Sequence, residues 1–427
     1  MSQARPIVPL NKPVDAQVLV VGSKSYTNRA LIIAALARGE SLLTGALFSD
    51  DTLYMAESLR QLGVTVEADE QAHTLRVRGV SGQVVAASAR AFVGNSGTTA
   101  RFLPPVMALG RGVYELDGVP RMHERPIAPL IDSLSALGVR IEALGKPGCV
   151  PLRVYGGTLT GSAVSVSGSA SSQYASGLMM AAPAMPKGLT LTLEGELVSR
   201  PYLEMTAQAM RDFGAVVTRQ GERTFVIEHG TYEGRAYAVE PDASAASYFF
   251  AAAAITGGRV RVEGLGTRSL QGDRALVHIL AKMGCTLREG QDFTELVGPP
   301  PGQLVGVDVD MGELSDVAQT LAVVAPFART PTRVTGIGFI RKKETDRVGA
   351  VVNELNKLGI AAVEEADGFV VPPGTVSPGA VDTYDDHRMA MSFALLGLVR
   401  PGIVINDPGC VSKTFPTYFD VLETLRR

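Results

Sequence analysis

Six apolar stretches recur along the chain, each opening on small polar residues and closing at or near a glycine. The first three are SKSYTNRALIIAALARG ending at Gly39, NSGTTARFLPPVMALGRG at Gly112 and SSQYASGLMMAAPAMPKG at Gly188. The second three are DASAASYFFAAAAITGG at Gly258, SDVAQTLAVVAPFART at Thr330 and DDHRMAMSFALLGLVRPG at Gly402. Their ends are spaced by 73, 76, 70, 72 and 72 residues. Ser, Asn and Asp at the openings are residues that cap orphan N–H groups at a helix N-terminus. A closing glycine suits the left-handed position after a helix. Because the stretches are apolar nearly all round, they predict helices buried in a core.

A second, amphipathic pattern follows each of the first five stretches. These patterns end in SLRQLG, SLSALG, AMRDFG, ILAKMG and ELNKLG, with glycines at 63, 138, 214, 284 and 359. The β-branched runs VTVEA, VRIEA, AVVTR, CTLRE and IAAVE come next and predict strands. The sixth copy breaks off at TYFDVLETLRR, so its missing strand is expected from the N-terminal segment around residues 17–21. The period predicts six α/β units of about 70 residues, each a βαβαββ layer. Three units per domain place a boundary near residues 240–242. No Gly/Ser-rich or Pro-rich linker marks it, so the hinge is expected to be short.

Composition narrows the class. Lys and Arg total 40 against 43 Asp and Glu, a net charge of −3, which argues against a general nucleic-acid binder. The longest clean apolar run, residues 248–255, falls well short of the roughly 20 residues of a membrane span. Residues 1–17 hold three prolines and no signal-like apolar core. Three widely spaced cysteines (Cys149, Cys285, Cys410) and five scattered histidines match neither a disulfide framework nor a zinc site. The expectation is a cytoplasmic monomer with no metal, no cofactor, and neither nucleic acid nor membrane as partner.

The candidate chemistry lies at the helix starts. Lys24 and Ser25, Asn95 with Gly97 and Thr98, Ser171 to Gln173, Asp242, Asp316, and Asp386 to Arg388 hold equivalent places in the six units. A helix N-terminus offers free N–H groups and about half a positive charge, which favours anions. Arg125, Arg200, Arg274, Arg347 and Lys413 recur at or before the starts of the second helices. Neither GxxxxGK[ST] nor a dinucleotide fingerprint occurs, which speaks against a nucleotide enzyme.

Eight motifs, GSKSYTNRA (22–30), GNSGTTAR (94–101), RMHERPI (121–127), GSASSQY (168–174), LVSRPY (197–202), KKETDR (342–347), DDHRMAM (385–391) and KTFP (413–416), stand in order along the chain. In them the sequence resembles the 5-enolpyruvylshikimate-3-phosphate synthase family of enolpyruvyl transferases over essentially its whole length. The resemblance implies an α/β fold of two domains, each of three βαβαββ units in an inside-out α/β barrel, with the active site in the interdomain cleft. It implies domains of residues 1–22 with 241–427, and of residues 23–240. It also implies transfer of the enolpyruvyl group of phosphoenolpyruvate to the 5-hydroxyl of shikimate-3-phosphate, with release of inorganic phosphate.

Carried over residue by residue, Lys24, Ser25, Arg29, Ser171, Ser172, Gln173, Ser199, Tyr202, Asp316 and Lys343 would bind shikimate-3-phosphate. Lys24, Asn95, Gly97, Arg125, Gln173, Arg347, Arg388 and Lys413 would surround phosphoenolpyruvate. Glu344 would be the general acid and Asp316 the base, with Lys343 or Lys24 assisting. The cations among these residues suit the roughly five negative charges of two phosphates and two carboxylates. Glu344 also stands three residues before Arg347, the spacing of a helix ion pair.

The resemblance further implies competition between glyphosate and phosphoenolpyruvate, with Gly97 leaving room beside the site. Three positions depart from the family pattern: Phe339 replaces an Asn found in some members, and Phe102 and Val21 replace prolines. Two other readings stay open. A UDP-N-acetylglucosamine enolpyruvyl transferase shares the chemistry, but residues 111–125 lack the Cys acid it commonly uses. A non-catalytic anion-binding protein on the same repeat would need neither Glu344 nor Asp316.

Overall fold

The computed structural model describes residues 4–168 and 171–426; Ser169 and Ala170 of the GSASSQY motif lie outside the described residues. The chain divides into two compact units. Gly22–Val239 forms an inserted unit, and Met1–Val21 with Glu240–Arg427 forms a terminal unit.

The inserted unit contains helices α1 (Lys24–Leu36), α2 (Asp50–Gln61), α3 (Gly97–Ala108), α4 (Ala128–Ala136), α5 (Ser172–Ala181) and α6 (Pro201–Asp212). Odd-numbered helices are the apolar stretches. Every residue of α3 is buried, and α1 is buried from Tyr26 to its end. Even-numbered helices are amphipathic and close on Gly63, Gly138 and Gly214, at φ of +91°, +90° and +92°. Only glycine adopts that conformation without a Cβ penalty.

Each helix pair is served by one four-stranded sheet. In the second sheet, Ser88–Phe92 runs parallel to Val113–Asp117, joined through α3, and Leu152–Tyr155 and Arg140–Ala143 add antiparallel. A parallel pair needs a long crossover and a hairpin pair does not, so βαβαββ follows from where the buried helix falls. The third sheet repeats this order with Ala163–Ser167, Leu189–Glu194, Thr224–Ile227 and Val217–Gln220. The first sheet takes its opening strand, Ala236–Ala238, from the far end of the unit, parallel to Glu40–Thr44.

The terminal unit contains α7 (Ala243–Thr256), α8 (Leu276–Lys282), α9 (Ala318–Val324), α10 (Arg347–Lys357), α11 (His387–Gly397) and α12 (Tyr418–Thr424). Helix α7 is buried along its whole length except at Ser244. It ends on Gly257 in the left-handed conformation, one residue before the expected Gly258. A Cβ on Gly258 would overlap the backbone of Val14, so the second glycine serves close approach. Three buried hydroxyls meet among the inner helices: Ser247 of α7 lies 3.2 Å from Thr320 of α9, which lies 3.4 Å from Ser392 of α11. Their near-equal sequence spacing marks the threefold repeat in three dimensions.

The N-terminal segment pairs differently from expectation. Asp15–Val18 opens the fourth sheet, parallel to Arg259–Glu263. The sixth sheet is completed by Arg5–Pro6, antiparallel to Ile403–Ile405. The parallel pair of that sheet is Gly379–Val381 with Ile403–Ile405, and Arg5–Pro6 adds the one antiparallel neighbour, making three strands where the other sheets have four. Pro6, without an N–H, is tolerated on a sheet edge. No helix among the described residues is long and apolar enough to cross a membrane, and the three cysteines are free and buried.

Candidate active site

The residues proposed from sequence gather into two sets, one in each unit. In the terminal unit, Asp316 sits in a 3-10 turn, Ser315–Val317, ahead of α9. It was expected in the place of a helix cap, but α9 has no side-chain cap and the Asp316 carboxylate turns to cations. Its Oδ1 accepts from Lys343 Nζ at 2.6 Å and Arg347 Nη1 at 3.2 Å, and its Oδ2 from Arg388 Nη2 at 2.9 Å. Burial pushes this carboxyl up, but the charges of Arg388, Lys343 and Arg347 outweigh it and hold Asp316 well below the usual aspartate range. Lys343 is pushed down, chiefly by burial.

Arg347 is the hub. It is the first residue of α10 and 2% exposed. Asp386 grips it at two points, Nε to Oδ2 at 2.7 Å and Nη2 to Oδ1 at 3.2 Å. The same carboxylate caps α11 by accepting from Arg388 N at 3.0 Å. Arg347 also meets Glu344 Oε2 at 2.9 Å, so the ion pair offered by the three-residue spacing forms. Lys413 Nζ stands 4.0 Å from the other Glu344 oxygen. Burial lowers the proton affinity of Arg347, but Asp386, Glu344 and Asp316 outweigh it and raise it above its ordinary value. One guanidinium therefore touches both the expected acid and the expected base.

The inserted unit is built on the starts of α1, α3 and α5. Ser23, Ser96 and Ser171 cap them, accepting from the backbone N–H of Tyr26, Thr99 and Gln173; each such cap is worth about 1 kcal/mol. Lys24 pairs with buried Asp51 at 3.0 Å. Arg125, 5% exposed, donates to Asn95 through the backbone oxygen at 2.8 Å and Oδ1 at 3.0 Å. Gln173 ties α5 to α3, donating to Thr98 Oγ1 at 3.0 Å and accepting from Arg101 Nη1 at 3.1 Å. Ser172 is buried, and Ser199 holds a left-handed backbone with φ of +56° beside Arg200.

Arg29 is 1% exposed, and its guanidinium donates to Thr206, Ser176 and the carbonyls of Ser25 and Tyr202. Four of its five N–H donors are thus taken by the fold, and burial lowers its pKa to about 10. It knits α1, α5 and α6 together and fixes the backbone of Ser25 and Tyr202.

Gly97 does not border open space, as the sequence suggested. A methyl group there would overlap the guanidinium groups of Arg101 and Arg125. The basic positions of the second helices also part company. Arg274 is held by Glu289, and Arg200 is exposed, whereas Arg125, Arg347 and Lys413 are buried in the two sets. Both aromatic departures lie against cations: the Phe102 ring is 5.3 Å from the Arg29 guanidinium, and the Phe339 ring is 5.5 Å from Lys343 Nζ.

Sequence reasoning assigned no role to Arg101, Tyr174 or Asp273, and it read Asp386 only as a helix start. Arg101 donates to Gly97 O at 3.0 Å and stacks on Tyr174, whose hydroxyl donates to Pro126 O at 2.6 Å beside Arg125. The signal for Arg101 was a charge inside a helix otherwise apolar, which only a built set of partners can hold.

Comparison with known proteins bears on these two sets together. A family model described as EPSP synthase (3-phosphoshikimate 1-carboxyvinyltransferase) matches residues 8–422. The chain is 48% identical to the 3-phosphoshikimate 1-carboxyvinyltransferase of Trichormus variabilis over 411 residues, 96% of each chain. It is 46% identical to the enzyme of the same name from Thiobacillus denitrificans, covering 98% of this chain and 99% of that one. Among solved structures it is similar to an EPSP synthase from Acinetobacter baumannii, with a TM-score of 0.83 and 26% identity over 99% of this chain and 98% of the other.

Proposed function

We propose how the two residue sets work from one premise: the chain belongs to the EPSP synthase family and transfers an enolpyruvyl group to shikimate-3-phosphate. In this reading the inserted unit takes up anions. The N-terminal turns of α1, α3 and α5, with Lys24, Ser25, Ser171, Ser172, Ser199 and Tyr202, receive shikimate-3-phosphate, and Arg29 orients the Ser25 and Tyr202 backbone. Asn95, Gly97, Arg125 and Gln173 receive phosphoenolpyruvate. Its other partners are Arg347, Arg388 and Lys413 of the terminal unit. The enzyme works as a cytoplasmic monomer on small molecules; the three free, buried cysteines support the compartment, and the net charge of −3 supports small-molecule rather than nucleic-acid partners.

The proton chemistry belongs to the terminal unit. The 5-hydroxyl loses its proton to Asp316, assisted by Lys343 or Lys24, as its oxygen bonds to C2 of phosphoenolpyruvate. The methylene carbon meanwhile gains a proton from Glu344. In the second step that carbon returns a proton, the C2–O bond to phosphate breaks, and the double bond re-forms. A carboxylate held far below its usual range is a poor base, and an ion-paired glutamate is a poor acid. The observation that carries the reading resolves this: Arg347 grips both Asp316 and Glu344. Phosphoenolpyruvate anions compete for Arg347, Arg388 and Lys413. Their binding loosens both carboxyls and raises the proton affinity of each.

The test is calorimetric titration of phosphoenolpyruvate into a shikimate-3-phosphate complex, under turnover-suppressing conditions, in buffers of different ionisation enthalpy. Net proton uptake is expected on binding, and Glu344→Gln should reduce it. Proton release, or uptake unaffected by Glu344→Gln, overturns the reading. Phosphate release with shikimate-3-phosphate, and none with UDP-N-acetylglucosamine, confirms the acceptor.

A further inference from the structure

Asp273 lies in a 3-10 turn, Gly272–Ala275, ahead of α8 and is 3% exposed. Its Oδ2 accepts the hydroxyl of Ser244, the one residue of α7 that is not buried. Its Oδ1 is sealed from solvent and has no hydrogen-bond partner among the described residues. Native structures rarely leave a buried carboxylate oxygen in that state, and where they do it calls for an explanation. On the other oxygen the contact leads onward, because Ser244 Oγ also stands 3.5 Å from Arg388 Nη2, the atom that donates to Asp316 at 2.9 Å. A chain therefore runs from Asp273 through Ser244 and Arg388 to Asp316.

Resting on the roles given above to Asp316 and Arg388, we propose that Asp273 is a positioning residue for enolpyruvyl transfer. Its ionised carboxylate holds the Ser244 hydroxyl proton, which turns the Oγ lone pairs toward Arg388 and fixes that guanidinium for phosphoenolpyruvate. Protonation reverses the relay. A neutral Asp273 donates to Ser244 Oγ and takes up one of its lone pairs, the Ser244 proton turns away from Asp273, and Arg388 loses its Ser244 contact while keeping its hold on Asp316. The groups facing Asp273 are Asp242 and Ser244 from the start of α7, Asp316 from its turn and Arg388 from α11. The chain neighbour Arg274 is turned to Glu289. Burial first, and then the charge of Asp316, push Asp273 up to about 6, against the pull of Arg388. The relay thus changes state close to neutral pH.

The experiment is the ratio of wild-type to variant kcat/KM for phosphoenolpyruvate from pH 5 to 8.5, in which titration of the substrates cancels. Asp273→Asn mimics the protonated carboxyl, and Ser244→Ala removes the link with little change in volume. Each ratio should be about ten at pH 8, the usual weight of one hydrogen bond to a charged group, and should fall toward one at pH 5. A ratio of one throughout, or a raised ratio that does not change with pH, overturns the proposal; the second marks a merely structural role. If Asp273→Asn fails to fold, Ser244→Ala carries the test alone. Failure of the underlying assignment has a different signature, full turnover in Asp316→Asn.

Discussion

Both residue sets are rich in cations, but the two are neutralised in different ways. In the terminal unit Lys343, Arg347, Arg388 and Lys413 face the carboxylates of Asp316, Glu344 and Asp386. In the inserted unit Arg29 and Arg101 are met by hydroxyls, amides and carbonyls, and the carboxylate of Asp51 answers Lys24. A cation satisfied by neutral acceptors keeps its field, whereas one satisfied by a carboxylate shares it. The first arrangement attracts anions. The second stores protonatable groups in a state that an arriving anion can change. On the roles proposed above, the difference between holding a charged substrate and moving its protons lies in the type of acceptor, not in the number of cations.

The largest effects should break that division if it is wrong. Asp316→Ala and Glu344→Gln are each expected to lower kcat by 10²-fold or more, within the ~10²–10⁴ of general acid–base catalysis. Arg125→Ala should instead raise KM for phosphoenolpyruvate and leave kcat within a few-fold. A variant of the inserted unit that loses kcat alone would dissolve the contrast. Steady-state kinetics at saturating shikimate-3-phosphate separates the cases.

A smaller effect concerns stability. Asp273 has its carboxyl raised from 3.8 to about 6 on folding. Its contribution is therefore fully present below pH 4 and is lost as pH rises toward and through 6. Asp273→Asn should raise the stability of the protein at pH 8, by on the order of 2–3 kcal/mol at most. It should give no gain at pH 4. Thermal melts at the two pH values measure this, and a gain at both would mean the carboxylate is not the cause. The smallest effect is at Gly97, where the added methyl of Gly97→Ala must shift Arg101 or Arg125. KM for phosphoenolpyruvate should rise about tenfold, as one carbon is felt in a close-packed site. The inhibition constant of the longer glyphosate molecule should rise by more, and equal rises would place Gly97 away from the discriminating end.

Repetition made most of the architecture legible. The glycines ending the second helices, Gly63 to Gly359, all adopt φ between +82° and +109°, because the left-handed turn that ends a helix selects glycine wherever it recurs. What repetition could not convey was the fate of a charge at a repeated position. Arg274 and Arg347 hold matching places, yet Glu289 on a neighbouring strand neutralises Arg274 while Arg347 joins Asp316 and Glu344. A one-dimensional period carries no information about which strand lies across the way. The same limit hid Asp273, whose partner Ser244 stands 29 residues earlier on a different helix. Arg5–Pro6 escaped notice because two residues are too short for any alternation to show.

The crossed strands set an order of events during synthesis. All three sheets of the inserted unit draw on Gly22–Val239, and Ala236–Ala238 is the last strand required. That unit can therefore finish folding on the ribosome while the C-terminal half is still being translated. Asp15–Val18 has to wait for Arg259–Glu263, and Arg5–Pro6 for Ile403–Ile405, some 400 residues further along the chain. Residues made before the inserted unit are thus placed after it. A nascent chain stalled just after residue 239 would be a folded body with a loose leading tail, and the tail would find its sheets only when the rest arrived.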